Sequence, residues 1–267
     1  MNTLIKILEK FDENRNNSVK DKTWASKSLD EKYQAIAEWF RPCAESILCK
    51  GYFLVNGEYI IDLGAIELYY HEEEGNIKDY IMYHINDNKK NKTKIRENDD
   101  GLPYFKFGSF NLHQSGIDVT FEKEEKKYRA SFLIRSYRVL KTEDGLYPKN
   151  DNTKYDPHST HIFDDMFYGG FGNTEIIWIP TDKKGGNVEQ CPRVHVAEYR
   201  KDNEGNYLRD KNGEYIKKEV TCEISPDDYD KTKKDKGYPI YFKTNSKIYK
   251  QDMREWQFKL KNIEEEK

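Results

Sequence analysis

The chain has 267 residues, 36% hydrophobic and 35% charged, a balance that favours disorder unless its 14% aromatic content, with 20 Tyr and 13 Phe, supplies the core. This length suits one large α/β or mostly β domain and leaves two full domains cramped, and since each ring buries roughly 150–250 Å², few are needed. A formal net charge of -3 excludes a global positive field that would advertise a nucleic-acid partner, although lysines concentrate locally in 88–96, 122–129 and 230–236.

In chain order, "TLIKILEKF" (3–11) carries Leu4, Leu8 and Phe11 at helical spacing and is followed by polar residues, which predicts a short helix and a linker over 1–25 before a single domain over 26–267. Ser28 followed by Glu31 reads as a capping box, and Leu29, Tyr33, Ile36 and Phe40 recur along one face, so a helix is expected over 29–49, bent near Pro42. "GYFLV", the Asn56-Gly57 turn and "EYIIDLGAIELYY" read as a hairpin with a long second arm. Beyond a polar loop at 86–101, "PYFKFGSF", "SGIDVTF" and "YRASFLIRSY" continue a curved sheet. "STHIFDDMF" (159–167) is expected as a short helix, "TEIIWI" (174–179) as a strand, and "MREWQF" (253–258) as a terminal helix or strand anchored by Trp256 and Phe258. Two copies of D-x-x-G-x-Y, at 202–207 and 210–215, lack a full calcium-ligand set and read as twin turns followed by Tyr207 and Tyr215. The expected fold class is α+β: a curved, mostly antiparallel β-sheet, or partial barrel, with flanking helices.

Cys43, Cys49, Cys191 and Cys222 match neither a CxxC pair nor a disulfide framework, which points to a reducing, cytoplasmic setting. The first residues have no apolar leader and no stretch has the length of a membrane span, so no membrane association is expected.

Three apolar strand runs each contain a charge: Glu67 in "AIELYY", Asp118 in "GIDVTF" and Arg135 in "SFLIRSY". By alternation Glu67 shares a face with Ala65 and Tyr69, Asp118 with Thr120, and Arg135 with Leu133 and Tyr137. Strands apolar on both faces are covered on both, where an unpaired ion costs several kcal/mol, so the charges are expected to converge, with arginine holding the acids. Two carboxylates and a guanidinium can hold and activate a water, one acid acting as general base. The plainer alternative is a cross-strand Glu67–Arg135 pair on a wetted face, worth about 0.2–1 kcal/mol and carrying no chemistry. His158 and His161 could share a helical face, but two ligands without a third make a poor zinc site; no metal and no cofactor are expected.

With these runs in this order, residues 29–140 resemble the alkyladenine (3-methyladenine) DNA glycosylase family, and in particular a divergent branch with a "G-L-D-I-T-F"-like strand before an "L-I-R" strand. Glu67-Leu68-Tyr69 stands where the family has its E-x-Y strand, "KDYIMYH" supplies His84, "SGIDVTF" supplies Asp118, and "FLIRSY" supplies Arg135. The resemblance implies a hydrolase that flips a damaged or modified base out of duplex DNA and cleaves its N-glycosidic bond. It implies Glu67 as general base, Arg135 as the group positioning water, and Tyr69 and His84 in contact with the flipped base. The segment "YFKFGSFNLHQ" offers Tyr104 and His113 as further base contacts. Asp118 replaces a family asparagine, which favours a base that offers amino donors, because an ionised carboxylate only accepts. The partner so implied is DNA, in repair or in defence against foreign DNA. Two other readings are a non-catalytic nucleic-acid or protein binding module on the same fold, and a hydrolase of free nucleosides or nucleotides.

Overall fold

The computed structural model describes residues 2–82, 103–142, 147–148, 153–182, 184–193, 196–204, 206–212, 215–219, 241–244, 247–261 and 263–265. The fold is α+β, as expected: helices flank a curled antiparallel sheet that forms a half-barrel. By its internal contacts the chain divides into two compact units, Met1–Asp79 with Pro103–Gln190 and Gln257–Lys267, and Tyr80–Leu102 with Cys191–Trp256.

In the first unit, α1 (Asn2–Lys20) runs on through the polar stretch expected to be a linker. Its second half is fixed by charge. Asp12 receives the Lys126 ammonium, the Lys123 ammonium at 2.9 Å and the Tyr128 hydroxyl at 3.1 Å, while Arg15 donates to the Tyr70 hydroxyl at 2.7 Å and stacks on the Tyr128 ring. These partners come from distant residues, so local propensity could not announce them. Helix α2 (Leu29–Cys49) starts at the full Ser28–Glu31 capping box and continues unbroken past Pro42.

The sheet has the strand order β3-β4-β5-β2-β1-β6, with β1 Gly51–Val55, β2 Tyr59–Glu72, β3 Phe110–His113, β4 Gly116–Thr120, β5 Tyr128–Lys141 and β6 Ile176–Pro180. Two further strands, β7 (Val188–Cys191) and β10 (Gln257–Leu260), pair with each other, and β10 also pairs with β2. The β1–β2 hairpin turns at Asn56 and Gly57 with φ of 51° and 72°, the positive pair that an Asn-Gly turn permits. "PYFKFGSF" contributes only its last residue to β3, with a turn at Phe107 and Gly108 shortly before it. The later short elements fall as read: α3 is Ile162–Met166, "TEIIWI" becomes β6, and the terminal run enters β10.

One face of the sheet carries the aromatic core. Phe11 of α1 meets Trp39, Phe40, Tyr70, Phe121 and Tyr128 at centroid separations between 5.1 and 6.3 Å. Phe40 of α2 stacks on Phe121 at 5.6 Å and meets Phe132 and Phe258. Edge-to-face contacts dominate this cluster, the arrangement that ring quadrupoles favour.

A break in the ladder shapes the opposite face. Leu63 pairs with Tyr137, Ala65 with Ser136 and Ile66 with Ile134, so the ladder passes over Gly64 on β2 and Arg135 on β5. At Gly64 an added Cβ would stand 2.4 Å from the Tyr155 ring; the missing side chain is what admits that tyrosine. Tyr155 thereby reaches Asp62, to which its hydroxyl donates at 2.8 Å. Asp62 also accepts from Arg138 Nε and the Tyr147 hydroxyl, each at 2.8 Å, and pairs with Lys184, which donates to the Leu63 carbonyl at 2.8 Å. Burial alone would raise the Asp62 carboxyl, but the Lys184 ammonium and Arg138 guanidinium outweigh it and hold the group below its ordinary value. Burial lowers Lys184 despite Asp62; the two shifts agree physically, since Asp62 has two cations and two phenols while Lys184 faces one carboxylate.

In the second unit, β8 (Tyr241–Thr244) and β9 (Lys247–Lys250) form a two-stranded ribbon. The twin turns are observed: Asp202 accepts from the Glu204 and Asn206 backbones, Asp210 from that of Asn212, and Tyr207 and Tyr215 form bridges to Lys201 and Arg209. Tyr80 lies against both tyrosines, 4.9 Å from Tyr207 and 3.8 Å from Tyr215 by ring centroid.

Asp62→Asn would leave two cations facing a neutral amide in a buried site. A loss of about 3–5 kcal/mol in urea unfolding at neutral pH is expected. Because the folded-state carboxyl titrates below the unfolded value of about 3.9, its stabilisation is complete above about pH 5 and is lost as pH falls through the folded value. The variant should lose that part of the acid dependence, which urea melts at a series of pH values would read.

Candidate active site

In the first unit, directly opposed residues in neighbouring antiparallel strands share a face. Asp118 on β4 opposes Leu133 on β5, Leu133 opposes Glu67 on β2, and Glu67 opposes Gln257 on β10. Asn111 on β3 completes the row by opposing Asp118. The two acids thus stand on one face, separated by a single strand, about 9–10 Å apart at the backbone for strand spacings of 4.7–4.9 Å.

Arg135 enters the row because the ladder passes it over. Its Nε lies 3.5 Å from Glu67 Oε1, and its side chain is 22% exposed while that of Glu67 is 1% exposed. The Tyr69 hydroxyl donates to Glu67 Oε2 at 2.9 Å from two residues along the same strand. The Glu67–Arg135 pair is therefore not an ion pair on a wetted face: its acid is buried and hydrogen-bonded, and its base reaches toward solvent. Such a pairing gives the buried carboxylate a cationic and a hydroxyl partner that fix its position, as a positioned general base requires.

Asp118 is engaged differently. His113 Nε2 lies 3.2 Å from its Oδ1, and the Ser131 hydroxyl donates to its Oδ2 at 3.2 Å. A β3–β4 hairpin with Ser115 donating its N–H to His113 Nδ1 at 3.2 Å aims the imidazole at the acid. The expected single cluster around Arg135 is thus a row of two linked pairs, Arg135 with Glu67 and His113 with Asp118, flanking Leu133.

Tyr104 stands apart from these pairs. Arg129 stacks over its ring at 3.9 Å and pairs with Glu73 and Glu122 at 2.8 and 3.2 Å. Arg129 opposes His71, four residues from Glu67 on β2 and about 13 Å away at 3.3 Å per residue. Burial, with Glu73 adding to it, raises the Tyr104 phenol. His84 lies outside the described residues.

The site also contains residues that spacing did not single out. Gln257 reaches the row from the C-terminal strand, and Ser131 reads in sequence as an ordinary strand position. Elsewhere in this unit, Asp156 supplies the third donor that His158 and His161 lacked: its two carboxylate oxygens lie 2.9 and 2.7 Å from their Nδ1 atoms. The signal was present as "DPHSTH" (156–161).

No described helix is long and apolar enough to cross a membrane. Compared with protein-family models, with characterised proteins and with solved structures, the chain matches none.

Proposed function

We propose that this protein is a DNA N-glycosylase-like hydrolase that acts on a flipped, damaged or modified base from a reducing, cytoplasmic compartment. The observation that carries the reading is the buried Glu67 carboxylate, held by the Arg135 guanidinium and the Tyr69 hydroxyl, in one row with Asp118. Cys43 and Cys49 are free and buried, in keeping with that compartment.

In this reading Glu67 takes a proton from a water as the water's oxygen attacks the anomeric carbon and the base departs with the bonding electrons. Arg135 pairs with Glu67 and orients the water; Tyr69 fixes the carboxylate's rotamer. Asp118, backed by His113, accepts from an amino group of the base, and Leu133 between the two acids offers an apolar floor for a ring. The base must leave the stack for any of these groups to reach it.

A non-catalytic module on the same fold also has an observation in its favour. Glu67 is already engaged by Tyr69 and Arg135 and almost wholly buried, which is how a purely structural ion pair is held. Binding that weakens by roughly 0.9 log units per phosphate contact per log unit of salt, without base release, would select the module.

Duplexes bearing alkylated, deaminated or hypermodified bases, incubated with the protein and then cleaved with alkali, test the chemistry. Strand breaks from the wild type should fall at least about 100-fold with Glu67→Gln, the low end of general-base contributions. Equal cleavage by both proteins would overturn the assignment. Asp118→Asn should instead alter which base is released: loss of a hydrogen bond to a charged group, about 1.5–3 kcal/mol, lowers kcat/KM roughly 10- to 100-fold for bases that present an amino donor. Bases without one should be affected less, as competition between two labelled duplexes would show.

A further inference from the structure

We propose that Asp156, His158 and His161 form a binding site for a first-row divalent transition metal, for which Zn2+ is the probe. The three candidate donor atoms, one from each residue, lie within 4.8 Å of one another. Both imidazoles turn Nδ1 to the same carboxylate, and their rings stack with centroids 4.8 Å apart and planes inclined by 28°. The His158 and His161 side chains are 60% and 58% exposed, so neither is a core histidine whose ring packing explains its place.

The arrangement rests on a backbone held mainly by contacts other than those among the three side chains. Asp156 and Tyr137 exchange both backbone hydrogen bonds, at 2.6 and 3.1 Å, which ties the first ligand to β5. Pro157 fixes its own φ and holds Asp156 to extended conformations, and the Asp156 carboxylate accepts the His158 N–H at 2.7 Å. A turn from the His158 carbonyl to the His161 N–H at 3.1 Å brings the second imidazole beside the first. Between them Ser159 donates its hydroxyl to the Ser115 carbonyl at 2.7 Å, and α3 begins directly after His161. The donors therefore sit on a clamped segment instead of a free loop.

The donor set defines the class of ion. Two imidazole nitrogens and one carboxylate oxygen suit zinc, nickel, copper or ferrous iron, whereas magnesium and calcium prefer all-oxygen shells. With Zn–N and Zn–O distances of about 2.0–2.2 Å in a tetrahedral site, ligand atoms stand about 3.3–3.5 Å apart. His158 Nδ1 lies 2.9 Å from Asp156 Oδ1 and His161 Nδ1 2.7 Å from Oδ2, and with the donor atoms all within 4.8 Å of one another the set needs adjustments of about 1–1.5 Å to meet that geometry, which rotation of exposed rings supplies. On binding, each ring carries its remaining proton on Nε2 and offers Nδ1 to the metal. Three protein ligands leave a fourth position for water or for an outside ligand. The plainer account of the trio is two surface histidines hydrogen-bonded to an aspartate with no affinity for metal.

Isothermal titration of the untagged full-length protein with ZnCl2 at pH 7.5 distinguishes the two. One equivalent should bind, and His158→Ala and His161→Ala should each weaken it by roughly 30-fold or more, since even outer partners of a metal site cost 10–100-fold. Zn2+ should raise the melting temperature of the wild type and leave that of the double variant unchanged. The proposal is overturned if the wild type takes up no stoichiometric Zn2+, if the folded double variant binds it equally, or if Mg2+ competes at comparable concentration. Should the double variant fail to fold, the single variant His161→Gln, at a position that is mostly solvent, serves in its place with the same outcomes.

Discussion

The architecture of the first unit depends on a rule of desolvation: an ion placed on a covered sheet face must meet its counter-ion there or the strands cannot close over it. The face opposite the aromatic core carries Asp62, Glu67, Asp118 and Arg129, all nearly or fully buried, and each is met by an opposite charge or an ionisable partner. Such pairs add little net energy beyond well-packed apolar residues, but breaking one is expensive. They therefore act as keys to register. A slip of one residue in β2 would turn Glu67 into the ring cluster of Phe11, Phe40 and Phe121 and leave Ile66 facing Arg135.

The break in the β2–β5 ladder gives this face its composition. Asp62 and Glu67 are five residues apart, so an unbroken strand would place them on opposite faces. Passing over Gly64 and Arg135 shifts the alternation by one, and the successive pairs Asp62–Arg138, Ala65–Ser136 and Glu67–Leu133 then fall on a common side. Bulges re-aim side chains in this way and raise local twist. Here the re-aimed residue is Arg135, the group that reaches Glu67.

Much of this was legible in the sequence where the signal is local. Ser28 with Glu31 marked the start of α2, Asn56-Gly57 marked the hairpin, and the charges inside "GAIELYY", "GIDVTF" and "SFLIRSY" marked strands with something to pair. What escaped was set by distant contacts. The second half of α1 is polar and reads as a linker; it is helical because Asp12 and Arg15 find Tyr128, Lys123, Lys126 and Tyr70. Alternation grouped Arg135 with Tyr137, since nothing local announces the shift at Gly64. The assignment of both acids to one guanidinium failed for a similar reason: His113, on a strand whose start was misplaced, is what stands beside Asp118.

Two carboxylates on the same sheet face thus meet different fates, and the contrast bears on which of them is available for chemistry. Asp62 is enclosed by Lys184, Arg138, Tyr147 and Tyr155, and the Lys184 side chain is 3% exposed. A reacting molecule would have to displace four donors, one of them a buried ammonium, to touch it, so its role is to hold the chain segments bearing Tyr147, Tyr155 and Lys184 to the sheet. Glu67 is as deeply buried, but its cationic partner is a guanidinium that extends to solvent from a bulge. Arginine can swing its head group along a flexible stem while keeping its charge. The Arg135 side chain, 22% exposed, thus gives the Glu67 pair a side toward solvent that the Lys184 side chain, 3% exposed, does not give Asp62.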